Sequence, residues 1–150
     1  MLNNMLGEED TNPQGFFRWR PDSRISSMMA PTLVERDNGS IAVLGSGGSN
    51  RIRTAILQVL VNLLRHGMDL RQAVEAPRLH AEHGVLNLEP GVDPALAQQL
   101  NGEFQRVEAW PDLNFFFGGV HAVAFDPANG RFEAAGDPRR GGVGVVVEDR

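Results

Sequence analysis

The chain contains no cysteine, no lysine and no tyrosine. Without cysteine there is no disulfide, no thiolate metal site and no thiol nucleophile. Without lysine, all 14 basic residues are arginines, set against 19 acidic residues for a formal net charge of −5. A nucleic-acid-binding surface needs clustered basic charge, so nucleic acid is not expected as a partner. No apolar run approaches the ~20 residues needed to span a bilayer. The opening Met1-Leu2-Asn3-Asn4 has no basic segment followed by an apolar core, so no secretory signal is expected on this chain. Internal repeats, low-complexity tracts and a clear domain linker are also missing. What remains is ordinary for a globular chain: 150 residues, 41% hydrophobic and 22% charged. That length suits a single domain, 1–150, with a sizeable core.

The apolar pattern alternates between strand and helix periods, which predicts an α+β fold. Pro31–Glu35 reads as a strand, Asp37-Asn38-Gly39-Ser40 as a hairpin turn, and Ile41–Leu44 as the returning strand. Ile52, Ala55, Ile56, Val59, Leu60, Leu63 and Leu64 recur at the spacing of an amphipathic helix. Ser49 or Asn50 is its N-cap and Gly67 its C′ residue. Asp69 and Gln72 form a D-x-x-Q capping box for a short second helix, which Pro77 stops. Val85–Leu88 alternates as a strand, Asp93-Pro94 opens a helix to about residue 101, and 107–110 reads as another strand. Val120–Phe125 and Arg131–Ala135 flank Asp126-Pro127-Ala128-Asn129-Gly130 as a second hairpin. Residues 143–147 are a last strand or a tail. Phe16, Phe17 and Trp19 are expected to anchor a polar N-terminal loop.

The most informative segment is Gly45-Ser46-Gly47-Gly48-Ser49-Asn50-Arg51-Ile52. A strand that runs through a glycine turn into a helix N-terminus gathers several backbone N–H groups at one point. The helix dipole adds positive potential there. Such a turn suits an anion, or the oxyanion that develops when an acyl group is attacked. It is neither a GxxxxGK[ST] phosphate loop nor a GxGxxG turn. By hairpin geometry, Ser26-Ser27 lies at the same end as this loop. His80 and His83 have H-x-x-H spacing but no obvious acidic third ligand, so metal binding is not expected. His66 and His121 read as packing residues. Asp137-Pro138-Arg139 reads as structural, forming a buried ion pair or a tight turn.

Four segments share an order and spacing: Ser26-Ser27-Met28-Met29-Ala30-Pro31-Thr32, the glycine loop, Gly67 to His80 with its Ala76-Pro77-Arg78-Leu79-His80 run, and Gly136-Asp137-Pro138-Arg139. Together with Asn3-Asn4 they resemble the C-terminal part of the small subunit of γ-glutamyltranspeptidases (glutathione hydrolases). The resemblance covers nearly the whole chain. It implies part of the four-layer αββα fold of N-terminal-nucleophile hydrolases, and a role in transferring or hydrolysing γ-glutamyl groups such as that of glutathione, without cofactor or metal.

The resemblance also assigns residues. Ser26 and Ser27 would bind the α-carboxylate of the γ-glutamyl group. The family loop G-S-P-G-G-S falls on Gly-Ser-Gly-Gly-Ser-Asn, which makes the oxyanion donors Gly48 and Ser49 without a gap, or Gly47 and Gly48 with a one-residue shift. The acid that pairs with the substrate α-ammonium falls on Glu8, or on Glu9 or Asp10 through a shifted loop, because Met5-Leu6-Gly7-Glu8-Glu9-Asp10 departs from N-N-x-M-D-D-F. The family nucleophile is a threonine in a Thr-Thr-His-type segment ahead of the Asn-Asn pair, and Thr11, Thr32 and Thr54 have no such setting. The chain is therefore expected to need N-terminal and large-subunit segments as partners and to be inactive alone. Missing central strands would leave an exposed sheet edge and a tendency to self-associate. The alternatives are a truncated or stand-alone binding module for amino-acid-like ligands, and an unrelated α+β anion-binding domain.

Overall fold

The computed structural model describes residues 5–8, 11–12, 14–100 and 102–147. Two sheets and three helices organise them. Strands β1 (Thr32–Glu35), β2 (Ile41–Ser46), β6 (Val120–Asp126) and β7 (Arg131–Ala135) form an antiparallel sheet in the order β1-β2-β6-β7. Strands β3 (Leu79–Glu82), β4 (Val85–Leu88) and β5 (Arg106–Ala109) form a second sheet, with β3 antiparallel and β5 parallel to β4.

Alternation fixes which face of the large sheet is covered. Ala42 and Leu44 of β2, and Val120 and Ala122 of β6, point to one side and are buried. Helix α1 (Arg51–Leu64) lays Ile52, Ala55, Ile56, Val59 and Leu63 on that side. Helix α2 (Leu70–Glu75) adds Leu70, Ala73 and Val74. The expected Asp69–Gln72 capping box is present: the Asp69 carboxylate accepts the Gln72 N–H, and the Gln72 side chain accepts the Asp69 N–H. Helix α3 (Pro94–Gln99) starts as predicted, with Asp93 accepting the Ala95 N–H.

Several details differ from the sequence reading. α1 ends one residue earlier than a C′ glycine would place it: Arg65 is its C-cap, and Gly67 follows two residues later with φ +64°. Of the two alternatives for residues 143–147, the structure has the tail and not the strand. Phe17 is fully exposed and Phe16 half-exposed, and only Trp19 anchors the N-terminal loop, donating from Nε1 to Asn12 Oδ1 at 2.8 Å. His66 is exposed rather than packed. His80, which the sequence reading assigned to no element, lies in β3, whose turn to β4 uses His83 and Gly84 at positive φ.

α1 is also stitched to the second sheet. Gln58 donates to the Leu79 carbonyl and accepts the Leu79 N–H, both at 2.9 Å, as a strand neighbour would. Residues 115–117 form a 3-10 turn whose rings continue an aromatic stack: Trp110 lies on Phe116 at 4.9 Å and meets Phe117 edge-on.

Candidate substrate-binding cleft

β2 runs two residues beyond the predicted Leu44, to Ser46, before the chain turns through Gly47-Gly48-Ser49 into α1. The turn is tight for a specific reason. Gly48 has φ +129°, and a Cβ on it would lie 3.2 Å from the Cα of Gly118. Two backbones therefore cross at van der Waals contact where only glycine fits. Ser46 Oγ accepts the Gly119 N–H and fastens the crossing. Ser49 takes φ +55°, a left-handed conformation uncommon for serine. The N–H groups of Gly47 and Gly48 meet no acceptor among the described residues. Asn50 is the N-cap position but does not cap with its side chain, which instead donates to Glu82 Oε1 at 2.6 Å.

Beside the loop lies an open cleft of about 560 Å³. One wall is Met29, Ala30 and Pro31; the other includes Gly119 and Arg140, with Gly45–Gly47 between. The β1–β2 register places Thr32 opposite Leu44, so the segment ahead of β1 and the loop after β2 reach the same end. Ser27 is two residues from this wall, and its Oγ accepts the Met29 N–H at 3.2 Å. Ser26 and Ser27 are both exposed. Glu8 is not among the cleft residues; its carbonyl receives Asn12 Nδ2 and the Thr11 hydroxyl within the N-terminal loop. Glu9 and Asp10 lie outside the described residues.

Arg140 escaped the sequence reading. Its stem crosses Gly119, where a Cβ would lie 2.5 Å from Arg140 Cδ. Its guanidinium reaches the glycine loop, with Nη2 3.2 Å from where a Gly48 Cβ would stand. It lies over the Phe115 ring at 5.8 Å and meets no carboxylate within ion-pair distance among the described residues. The only signal for it was its place after Asp-Pro-Arg, and nothing local ties that position to the loop 90 residues earlier.

Behind the cleft lies a buried ion network. Asp137 Oδ2 accepts Arg78 Nη2 and the Val120 N–H, each at 2.7 Å. Arg139 donates from Nε to Glu89 Oε1 at 2.7 Å and from Nη1 to Asp137 Oδ1 at 3.2 Å. Arg139 also satisfies the Val74 and Ala76 carbonyls, so it closes the C-terminus of α2. Burial alone would raise the Asp137 carboxyl. The Arg78 charge, the Arg139 and Val120 N–H groups and the Arg139 charge together overcome burial and hold it below its ordinary value. Arg139 is raised despite its burial, by Glu89 first. Arg78 is lowered by burial and by neighbouring Arg139, against the pull of Asp137. Both alternatives for Asp137-Pro138-Arg139 hold at once, since 138–140 is also a 3-10 turn begun by Asp137. Among the described residues no cluster of three or more His, Asp or Glu could hold a metal ion. His121 is exposed on its strand, and its Nδ1 accepts the Asp137 N–H at 3.4 Å.

The sequence matches a known family. A model described as Gamma-glutamyltranspeptidase matches residues 1–147, and the chain belongs to that family. It is 35% identical over 147 residues to the Acylase ACY 1 proenzyme of Pseudomonas sp. (strain SE83), covering 98% of this chain and 26% of the relative. It is 30% identical over 149 residues to the Glutathione hydrolase proenzyme of Bacillus subtilis (strain 168), covering 98% of this chain and 25% of that protein. The chain thus spans about a quarter of the length of these relatives. Among solved structures, a γ-glutamyltranspeptidase from Pseudomonas nitroreducens, complexed with L-DON, superposes with a TM-score of 0.71 at 31% identity, over 87% of this chain and 67% of that one. The Bacillus anthracis transpeptidase enzyme CapD shares the fold, with a TM-score of 0.73 at 24% identity over 99% of this chain and 91% of that one. These neighbours place the α+β chain within the αββα N-terminal-nucleophile hydrolase fold.

Proposed function

We propose that this chain supplies the carboxylate-binding and oxyanion-binding portion of a γ-glutamyltranspeptidase or glutathione hydrolase. The observation that carries the reading is the pair of Gly47 and Gly48 N–H groups, without acceptors among the described residues, in the turn just ahead of α1 and beside a cleft lined by Met29, Ala30 and Pro31, two residues from Ser27. When a nucleophile attacks the γ-carbonyl, negative charge develops on its oxygen. Preorganised N–H donors at a helix N-terminus stabilise that charge more than the ground-state carbonyl. Arg140 adds a full positive charge next to the same loop. The Ser26 and Ser27 hydroxyls hold the α-carboxylate, and an acid of the 8–10 segment takes the α-ammonium. The donor pair is Gly47 and Gly48 with a one-residue shift, or Gly48 and Ser49 without one.

The nucleophile comes from another segment. The chain has three threonines, and each hydroxyl is engaged: Thr11 with the Met5 and Glu8 carbonyls, Thr32 with the Ala30 carbonyl, and Thr54 with the Arg51 carbonyl and His80. A second reading draws on the acylase relative. There the same loop would serve a different acyl amide, with the serines holding that ligand's carboxylate.

Titrating the chain with a γ-glutamyl anilide tests the reading. The Gly47 and Gly48 amide resonances should shift without turnover of the anilide. Replacing both serines (Ser26→Ala with Ser27→Ala) should weaken binding by about 10- to 100-fold, the equivalent of hydrogen bonds to a charged group. Gly48→Ala should abolish the loop shifts, since its Cβ would meet Gly118. Binding that ignores all three substitutions would refute the assignment.

A further inference from the structure

His80 is only 3% exposed, yet both of its ring nitrogens have polar partners. Nδ1 lies 2.9 Å from Thr54 Oγ1, and Nε2 lies 3.3 Å from Glu82 Oε2. The other Glu82 oxygen accepts Asn50 Nδ2 at 2.6 Å. Asn50 directly follows Gly47-Gly48-Ser49, and Thr54 stands in the first turn of α1. The imidazole of a strand in one sheet is therefore joined by one arm to Asn50, at the end of the glycine loop, and by the other to the first turn of α1.

Counting protons shows what the arms can do. Thr54 Oγ1 is also 3.2 Å from the Arg51 carbonyl, but a hydroxyl has one proton to donate. With a neutral imidazole, Nε2–H faces the Glu82 carboxylate. Nδ1 is then an acceptor and takes the Thr54 proton away from the Arg51 carbonyl. With an imidazolium, both ring nitrogens donate. Nδ1–H then points at Thr54 Oγ1, and the Thr54 proton returns to Arg51. One added proton thus reverses the Thr54–His80 hydrogen bond and strengthens the hold on the carboxylate that grips Asn50.

The other groups around His80 are the Phe116 ring, edge-on at 5.9 Å, and the Asn87 side chain, which donates to the His80 carbonyl. The Arg51 guanidinium lies over the same Phe116 ring at 5.0 Å. The exposed His83 stands 4.0 Å from Glu82 Oε1.

We infer that His80 is the positioning residue of the glycine loop. Through Glu82 and Asn50 on one side and Thr54 on the other, its charge state sets the disposition of the Gly47 and Gly48 N–H groups. His80 acts through these residues and touches no substrate. The inference rests on reading the loop as an anion site.

The test is an NMR titration of the full chain from pH 5 to 9, following the His80 ring and the Gly47 and Gly48 amides. The glycine amides should move with the midpoint of the His80 ring while the amide of Val59, deep in α1, stays still. In His80→Gln, which keeps a donor toward Glu82 but cannot titrate, that movement should vanish. Glu82→Gln, at a partly exposed position, serves if His80→Gln does not fold; by weakening the arm to Asn50 it should shrink the movement of the glycine amides. Glycine amides that stay still while the ring titrates, that move unchanged in His80→Gln, or a ring that keeps one charge state throughout would overturn the inference. Adding the γ-glutamyl anilide separates this from the function. If the anilide leaves the loop unmoved at every pH, the anion reading fails and the coupling stands. If it binds while the amides ignore His80, the coupling fails and the anion reading stands.

Discussion

The large sheet has two faces built from the same strands and finished in opposite ways. On the α1–α2 side, Leu44 is 2% exposed and Val120 fully buried. One residue along, on the other side, Leu33 is 64% exposed, Val43 and Val123 49% each, and Phe132 56%. The register aligns Leu33 with Val43 and Val43 with Val123, so these side chains form a continuous apolar row across three strands. An antiparallel sheet that meets water on one face ordinarily alternates apolar-in with polar-out. Here both positions of the alternation are apolar, which is the pattern of a sheet covered on both faces. In a four-layer αββα fold the bare face is where the second sheet of the sandwich packs. The chain spans about a quarter of the length of these relatives. α1 repeats the theme on a smaller scale, with Leu57, Val61 and Leu64 exposed along its outer side.

The largest test of this contrast strikes the buried network behind the covered face. Asp137→Ala leaves Arg78 and Arg139 without their shared acceptor. It should cost about 3–5 kcal/mol, a large part of a typical domain's stability, measured by denaturant unfolding. The same carboxylate sets an acid limit. Its folded value lies below the ordinary one, so its contribution is complete above the unfolded value near pH 4 and fades as pH falls through the lower, folded value. An unfolding curve followed from pH 7 to 2 should show this fall, and Asp137→Asn should flatten it.

Next comes a direct comparison of faces. Leu44→Ala should cost about 2–5 kcal/mol, whereas Val43→Thr and Val123→Thr should each stay within about 0.5 kcal/mol. Equal costs would mean that the second face is already covered. A smaller effect, about 1 kcal/mol, is expected for Asp69→Ala, which removes the α2 cap while touching neither face. Least visible in stability, but sharpest for the bare face, is association. The wild-type chain should form dimers or larger species in sedimentation at high concentration, and a double Val43→Lys, Val123→Lys variant should shift toward monomer. A compact wild-type monomer would count against this.

How far the sequence spoke depended on the range of the interactions involved. The Asn38-Gly39 and Asn129-Gly130 turns, the α1 stripe as far as Leu63 and the Asp69-x-x-Gln72 box are settled within a few residues, and all stand where their patterns place them. β3 was missed because Leu79-His80-Ala81-Glu82 has weak alternation and is held in place by Gln58 on α1 and by β4. Phe115-Phe116-Phe117 carries no period, and Trp110 and Arg51 decide its course. At the cleft, the glycine loop and the segment ahead of β1 were legible because one hairpin joins them. Arg140 and the Arg78–Asp137 and Glu89–Arg139 pairs bridge 50 or more residues, and local pattern does not reach that far. Positions 66 and 121 show the opposite error: apolar neighbours suggested packing, yet His66 and His121 are exposed.

The strand order β1-β2-β6-β7 has a kinetic consequence. β2 and β6 are hydrogen-bonded neighbours, but the chain between them holds all three helices and the whole second sheet. The outer hairpins β1–β2 and β6–β7 close over short turns and can form within microseconds. Joining them means closing a long loop, whose entropy is lost before Leu44 and Ala122 gain any contact. The central seam of the sheet should therefore be the last part to assemble. In refolding followed by pulsed hydrogen exchange, amides at the β2–β6 seam should gain protection after those of α1. Protection of the seam ahead of the helix would contradict this order.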